Sequence, residues 1–293
     1  MDEKPLTVTR LLPPKKQTEW RWPAAANFIL GGAGTGFYVL GFFTMIFEHG
    51  TTLNTHPISF GLLGPVLVSI GLASLLTEVG RPLRGRYLLH HLQNAWISRE
   101  TLAFVFFIIT VSLDYVAPHL TFKFFAVLSA FAFMLCQGLI AYSARAVAAW
   151  NVPVMPFFFL TSGLASGAGV ALLIFSSHRH LMIDSLLLLS FVSVSLNLIG
   201  WFIYLRGSVK FSSPPATVTL RCSLATHIIV LLGHLVPLLL LALLKISTYL
   251  GMASELFVIL ASGSGLALIV GVIGQKAAIF LTSGYTREIV LRP

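Results

Sequence analysis

Apolar residues run almost uninterrupted for about twenty positions at a time along this chain, eight times over, with short polar stretches between the runs. They fall at 24–47, 57–77, 101–117, 122–144, 154–176, 181–205, 222–244 and 254–281. A helix needs about 20 mostly apolar residues to cross the hydrocarbon core of a bilayer, so each run predicts one transmembrane helix. Barrel strands would be about half as long and would alternate in polarity. Lipid offers backbone groups no partner but one another, which also favours helices. The expected fold is all-α: a polytopic membrane bundle of about eight transmembrane helices. A polar segment at 1–22 precedes a bundle at 23–282, and a short tail follows at 283–293. The first run is not expected to be a cleaved signal, because a long polar stretch precedes it and it ends at Glu48 and His49 without a cleavage pattern.

Composition agrees with the pattern and narrows it. With 56% hydrophobic and 10% charged residues and a mean hydropathy of +0.88, a soluble domain would lack the polar surface to cover itself. The few charges are lopsided. The face bearing the N-terminus collects Lys4, Arg10, Lys15, Lys16, Arg21, Arg81, Arg84, Arg86, Arg99, Arg145, Arg206, Lys210, Arg221, Arg287 and Arg292. The opposite face has Lys123, Arg179 and Lys245. Short loops rich in Lys and Arg stay in the cytoplasm, so both termini are expected there, in a cytoplasmic (inner) membrane. This face accounts for the net charge of +9. Membrane lipids, and no nucleic acid, are therefore the expected contact, although a basic docking surface for an acidic partner gives the same bias.

The side chains exclude some chemistries. Cys136 and Cys222 fall inside apolar runs and are too few for an iron–sulfur cluster, and no C-x-x-C-H run attaches a haem. Only His227 and His234 lie well inside a span, seven residues apart on one helix, so they share a face and cannot ligate one haem from opposite sides. They are expected to be a packed or water-linked pair. His49, His56, His90, His91, His119, His178 and His180 read as loop or helix-end residues. Gly32-Ala33-Gly34-Thr35-Gly36 has no preceding strand and is not a phosphate turn; with Gly163-Leu164-Ala165-Ser166-Gly167 it reads as a helix-packing face. Each motif lies in the first helix of a four-helix half, so a bundle of two such halves is one arrangement they would mark.

Polar groups in hydrocarbon are costly, and those at depth are the functional candidates. Asn27, Glu78, Gln137, Tyr142, Asn197 and Lys276 all fall near the N-terminal-face ends of their helices. Arg81 follows Glu78 closely enough to pair with it. Ser98 reads as the N-cap of the third helix and Glu100 as an acid in its first turn. Asn27, one turn inside a span, needs a partner or a ligand.

Several blocks resemble one family. Trp20-Arg21-Trp22-Pro23-Ala24-Ala25-Ala26-Asn27-Phe28 running on to Gly36, Gly80-Arg81-Pro82 with Trp96-Ile97-Ser98-Arg99-Glu100, and Trp150-Asn151-Val152-Pro153 with Pro156 entering the 163–167 motif are similar, in order, to blocks of the polysulfide reductase (NrfD-type) and DMSO reductase membrane anchors. The resemblance covers about the first 170 residues. It implies a quinone-reactive anchor without a catalytic centre of its own, passing electrons between the quinone pool (menaquinone or ubiquinone) and a docked ferredoxin-like iron–sulfur subunit, which connects to a molybdopterin (Mo or W) catalytic subunit. Neither haem nor an iron–sulfur cluster is expected in this chain, and the iron–sulfur clusters belong to the docked subunit. Asn27 stands where relatives have a quinone-binding histidine, and Ala24 where they have another polar residue. Gln137 or Tyr142 substitutes for a tyrosine, Arg81 completes the quinone set, and Glu78 matches a carboxylate suited to proton transfer. Combined with the charge bias, the resemblance implies a cytoplasmic catalytic module. The competing class is a transporter or ion channel without a redox partner. A third is a redox complex that also moves protons, with Glu78, Asn197, His227, His234 and Lys276 as stepping stones.

Overall fold

The computed structural model describes residues 9–47, 57–78, 92–177, 184–211, 224–251, 254–287 and 289–291. Arg81 with its Gly80-Arg81-Pro82 block, Cys222, the histidines at 49, 56, 90, 91, 178 and 180, and Lys4, Arg84, Arg86, Arg179, Arg221 and Arg292 lie outside the described residues. Each apolar run is a helix: α1 (Trp22–Phe47), α2 (Pro57–Leu76), α3 (Trp96–Val116), α4 (Leu120–Ser143), α5 (Met155–Phe175), α6 (Asp184–Phe211), α7 (Leu224–Tyr249) and α8 (Ser254–Thr282). Seven are long and apolar enough to cross a membrane, and α2 is a shorter apolar helix by the same measure. Two helices depart locally from the α-form. A π segment, Leu231–Leu235, interrupts α7, and a π turn, Ala278–Thr282, ends α8.

The packing divides the bundle as the paired glycine motifs suggest. α1 packs on α2 and α4, and α3 on α2 and α4, closing one four-helix ring; α5, α6, α7 and α8 close a second ring. α1 against α5 is the main seam between the halves. There the two motifs meet: a Cβ on Gly36 would lie 2.6 Å from the Gly163 carbonyl carbon, and one on Gly167 would lie 2.9 Å from the Gly36 Cα. Glycine is required at such positions because the backbones themselves touch, the usual device where lipid gives no hydrophobic drive for helix association. The outer surface is apolar, with Phe106, Ile109, Phe124, Leu188, Ile199, Leu239, Ile259 and Leu266 all exposed. Such a girdle suits hydrocarbon and not water.

The described N- and C-terminal segments lie on one face. Thr9–Leu12 pairs antiparallel with Ile289–Leu291, and Lys16 bridges Tyr285 and Val147 bridges Thr286. Gln17 fastens the N-terminal arm by donating from Nε2 to the carbonyls of Trp20 (2.8 Å) and Phe280 (3.2 Å). Trp20 stacks on Trp150 at 4.8 Å, and Trp150 Nε1 donates to the Ile279 carbonyl at 2.9 Å. Aromatic pairs of this kind add about 0.5–1.5 kcal/mol each beyond burial. On the opposite face Lys123 pairs with Asp114 (2.5 Å) and Lys245 with Asp184 (2.6 Å). The described cations there are thus neutralised, and Lys15, Lys16, Arg21, Arg145, Arg206 and Arg287 are exposed on the terminal face or at the helix ends beside it.

The start of α3 differs from the sequence expectation. Ala95, in extended conformation (φ −127°, ψ 124°), occupies the N-cap position without a side-chain cap, and the helix begins at Trp96. Ser98 is therefore not the cap; it is fully buried, and its Oγ has no partner among the described residues. Glu100 correspondingly lies beyond the first turn, turned into the bundle. The apolar pattern from 101 onward hid this, because Trp96 and Ile97 continue the helix on its N-terminal side.

Candidate functional site

Three helices of the first half each deliver one polar side chain to the same point. Glu100 of α3, Asn27 of α1 and Gln137 of α4 are all 1% exposed or less. Asn27 Nδ2 donates to Glu100 Oε1 at 3.2 Å, and Gln137 Nε2 donates to the same oxygen at 3.2 Å. Gln137 Nε2 also reaches the Asn27 main-chain carbonyl at 3.1 Å. Their approach depends on glycines. A Cβ on Gly31 would fall 2.6 Å from Gln137 Nε2, and one on Gly71 of α2 would fall 3.3 Å from the Asn27 Cα. Three polar atoms stay unpaired in this region among the described residues: Asn27 Oδ1, Gln137 Oε1 and Ser98 Oγ. A buried acceptor without a donor costs about 1–3 kcal/mol, so this is a site with hydrogen-bonding capacity left over.

Beside the cluster is a cleft of ≈ 250 Å³ lined by Glu19 and Trp20 of the N-terminal arm, Ala24, Asn27 and Phe28 of α1, Leu75 and Glu78 at the end of α2, Ile97 and Glu100 of α3, and Ile140 of α4. The exposed Glu19 and Ile97 and the partly exposed Glu78 mark its outer rim, and the buried Asn27, Phe28 and Glu100 its floor. Glu78 Oε1 accepts a hydrogen bond from the Arg21 backbone N–H at 2.9 Å, so the arm and the end of α2 are tied together at the mouth. Arg99, next to Glu100, turns away: Nε donates to the Leu92 carbonyl (2.8 Å), Nη2 to the Gln93 carbonyl (2.8 Å), and the guanidinium lies over the Trp96 ring at 4.1 Å. The described partners of Glu100 are thus two neutral carboxamides.

The structure brings Asn27, Gln137 and Glu78 to one region. Tyr142 lies further along α4, half-buried against the aromatic group around Trp150, and does not line the cleft. Arg81 lies outside the described residues. Glu100 is the residue that sequence reasoning passed over as a helix-end acid; its signal is the register of α3, since Glu100, Ala103, Phe107 and Val111 share the buried face. Asn27 keeps one polar atom free among the described residues. Its amide nitrogen is engaged by Glu100, which leaves Oδ1, an acceptor, available.

The remaining polar residues at depth gather elsewhere. Asn197, His234 and Gln275 meet in the second half. Lys276 Nζ, fully buried, donates to the Phe28 carbonyl and lies 4.8 Å from the centre of the Phe159 ring. His227 and His234 do not share a face: His227 is exposed and His234 is fully buried. The π segment carries the reason, because its wider turn shifts the phase of the helix between them. Among the described residues no group of three or more His, Cys, Asp or Glu is placed to hold a metal ion, and Cys136 is a buried free thiol. No family model matches the chain, and no curated protein matches it.

Proposed function

We propose that this protein is the membrane anchor and quinone-reactive subunit of a multi-subunit oxidoreductase, exchanging electrons between a docked ferredoxin-like iron–sulfur subunit and the quinone pool. The observation that carries the reading is the buried Glu100–Asn27–Gln137 cluster at the floor of a cleft on the basic, terminus-bearing face. The cleft has room for a ring-sized headgroup and is smaller than the roughly 300–1,000 Å³ of pockets that enclose a whole drug-sized ligand. Trp20, Phe28, Ile97 and Ile140 offer flat apolar walls, and the unpaired Asn27 Oδ1 offers an acceptor. An acceptor fits a ligand hydroxyl, as the reduced headgroup of a quinone presents.

A quinone, when bound, carries two electrons and two protons between partners. The chain's own part is binding and proton handling. Asn27 orients a hydroxyl through Oδ1, while its Nδ2 and Gln137 hold the carboxyl of Glu100 in place. Glu100 gives or takes a proton at its carboxyl oxygens, and Glu78 at the rim exchanges it with water. Electrons come from outside the chain, through a partner docked over the exposed arginines and lysines of the terminal face. By the positive-inside rule that face is cytoplasmic, and a molybdopterin catalytic subunit would stand there with its iron–sulfur partner.

Purification in a mild detergent, followed by mass spectrometry of the retained subunits and a metal count, tests this. The expected result is a cysteine-rich partner together with iron and molybdenum or tungsten. A metal-free protein that purifies alone contradicts it and favours a transporter.

A further inference from the structure

The second half of the bundle buries a polar group that the quinone reading does not use. Asn197 of α6, His234 of α7 and Gln275 of α8 are at most 1% exposed and meet side chain to side chain. His234 Nδ1 faces the Ile229 carbonyl at 3.1 Å, and a carbonyl only accepts, so Nδ1 carries the ring proton. Nε2 faces Asn197 Nδ2 at 3.3 Å and Gln275 Nε2 at 3.0 Å, two carboxamide nitrogens that only donate. The ring is therefore neutral in this arrangement. Asn197 Nδ2 also donates to Gln275 Oε1 at 3.1 Å, and Asn197 Oδ1 has no partner. The site is built into the backbone as well. His234 stands in the π segment, where Gly233 meets α8 so closely that a Cβ on it would lie 2.7 Å from the Gly271 Cα.

These three side chains have a second arrangement that keeps the same three contacts. A half-turn of both carboxamides exchanges nitrogen and oxygen without changing their shape. Asn197 Oδ1 and Gln275 Oε1 then both face Nε2, and Gln275 Nε2 donates to Asn197 Oδ1. All three contacts persist with their directions reversed, and the reversed set accepts a proton on Nε2. We propose that Asn197, His234 and Gln275 form a proton-binding site inside the second half, in which His234 takes up one proton at Nε2, supplied by hydronium of the surrounding solution and leaving water behind, as the two carboxamides turn over.

The surrounding charges leave this role to the carboxamides. On α8, Lys276 follows Gln275 but points to the Phe28 carbonyl of α1 and the Phe159 ring of α5, and Glu255 lies in the first turn at the far end. On α6, Asp184 is at the far end, paired with Lys245 of α7, and Arg206 is exposed. On α7, His227 is exposed, and α5 has no titratable residue. Among the described residues no carboxylate packs against His234 to hold it charged. Lys276 also gives the site a direction, because it touches the residue that follows Asn27 and so stands between the polar groups of the two halves. The inference goes beyond the quinone reading and does not depend on it.

Solid-state nitrogen NMR of the full-length protein in lipid bilayers, labelled in histidine rings and in Asn and Gln side chains, tests the site between about pH 4 and about pH 9. His234→Gln identifies the ring signal, and sequential assignment identifies it independently if that variant does not fold. At the alkaline end the His234 nitrogens should be widely split, as in a neutral ring protonated at Nδ1. On acidification they should converge to the imidazolium pattern while the Asn197 and Gln275 amide signals move with the same midpoint. A ring that stays neutral throughout overturns the proposal, and so does one that protonates without any change in the two carboxamides.

Discussion

Glu100 is held by two carboxamide donors on one oxygen, so replacing it with glutamine keeps the shape and an acceptor while removing the proton the group can exchange. General acid–base groups contribute about 10²–10⁴-fold, and Glu100→Gln is expected to lower quinone-linked turnover by about 10²-fold or more. Dye-linked activity of the proposed soluble partners should be unchanged; steady-state assays with both acceptors separate the two, and an equal loss in both would point to disassembly. Lys276 makes the opposite prediction. Its described partners are a carbonyl and a ring, which offset only part of the cost of burying an amine. Lys276→Met should therefore leave stability unchanged or raise it by about 1–3 kcal/mol, seen as a higher thermal midpoint in detergent. A clear fall would mean that these two contacts outweigh desolvation. Asn27 and Gln137 were legible in the sequence because a carboxamide within an apolar run has few explanations. Glu100 was not, because an acid near a helix start has an ordinary one, and only the true start at Trp96 turns it inward.

Between the elements, stability rests on where backbones touch, and this gives a sharp contrast among glycines. Gly36 meets the Gly163 carbonyl at the α1–α5 seam, whereas a Cβ on Gly61 of α2 would meet nothing within 4 Å. Gly36→Val should cost about 3 kcal/mol or more, at or beyond the upper end of ordinary overpacking, because helix backbone must move to admit it. Gly61→Ala should be neutral or stabilising by about 0.5–1 kcal/mol, from helix propensity alone. Thermal unfolding of the two variants side by side checks this, and equal effects would contradict the seam. The eight helices and the packing role of both glycine motifs were readable from the pattern, since period and length are one-dimensional. The π segment of α7 was not, because nothing in Leu231–Leu235 distinguishes a wider turn from a normal one. That is why two histidines seven residues apart seemed to share a face.

On the scale of the whole molecule, the pairing of Thr9–Leu12 with Ile289–Leu291 puts the described N- and C-terminal segments on one side. The exposed cations of that side, against the paired Lys123 and Lys245 of the other, predict that the side is cytoplasmic. Single cysteines introduced near each end should be shielded from a membrane-impermeant thiol reagent in intact cells and become reactive after the membrane is opened. Labelling in intact cells would reverse the orientation and move the proposed docking surface to the outside. The division into two four-helix rings was only hinted at in the sequence by the paired motifs, because ring closure depends on contacts between distant helices.

The most direct test of the account is photoaffinity labelling of the purified protein in lipid with an azido-quinone, with the modified peptides mapped by mass spectrometry. Adducts are expected on the cleft residues Trp20 to Phe28 and Ile97 to Glu100, displaced by excess unlabelled quinone and weakened by Asn27→Leu. Adducts confined to the lipid-facing surface, insensitive to competitor and to that substitution, would contradict it.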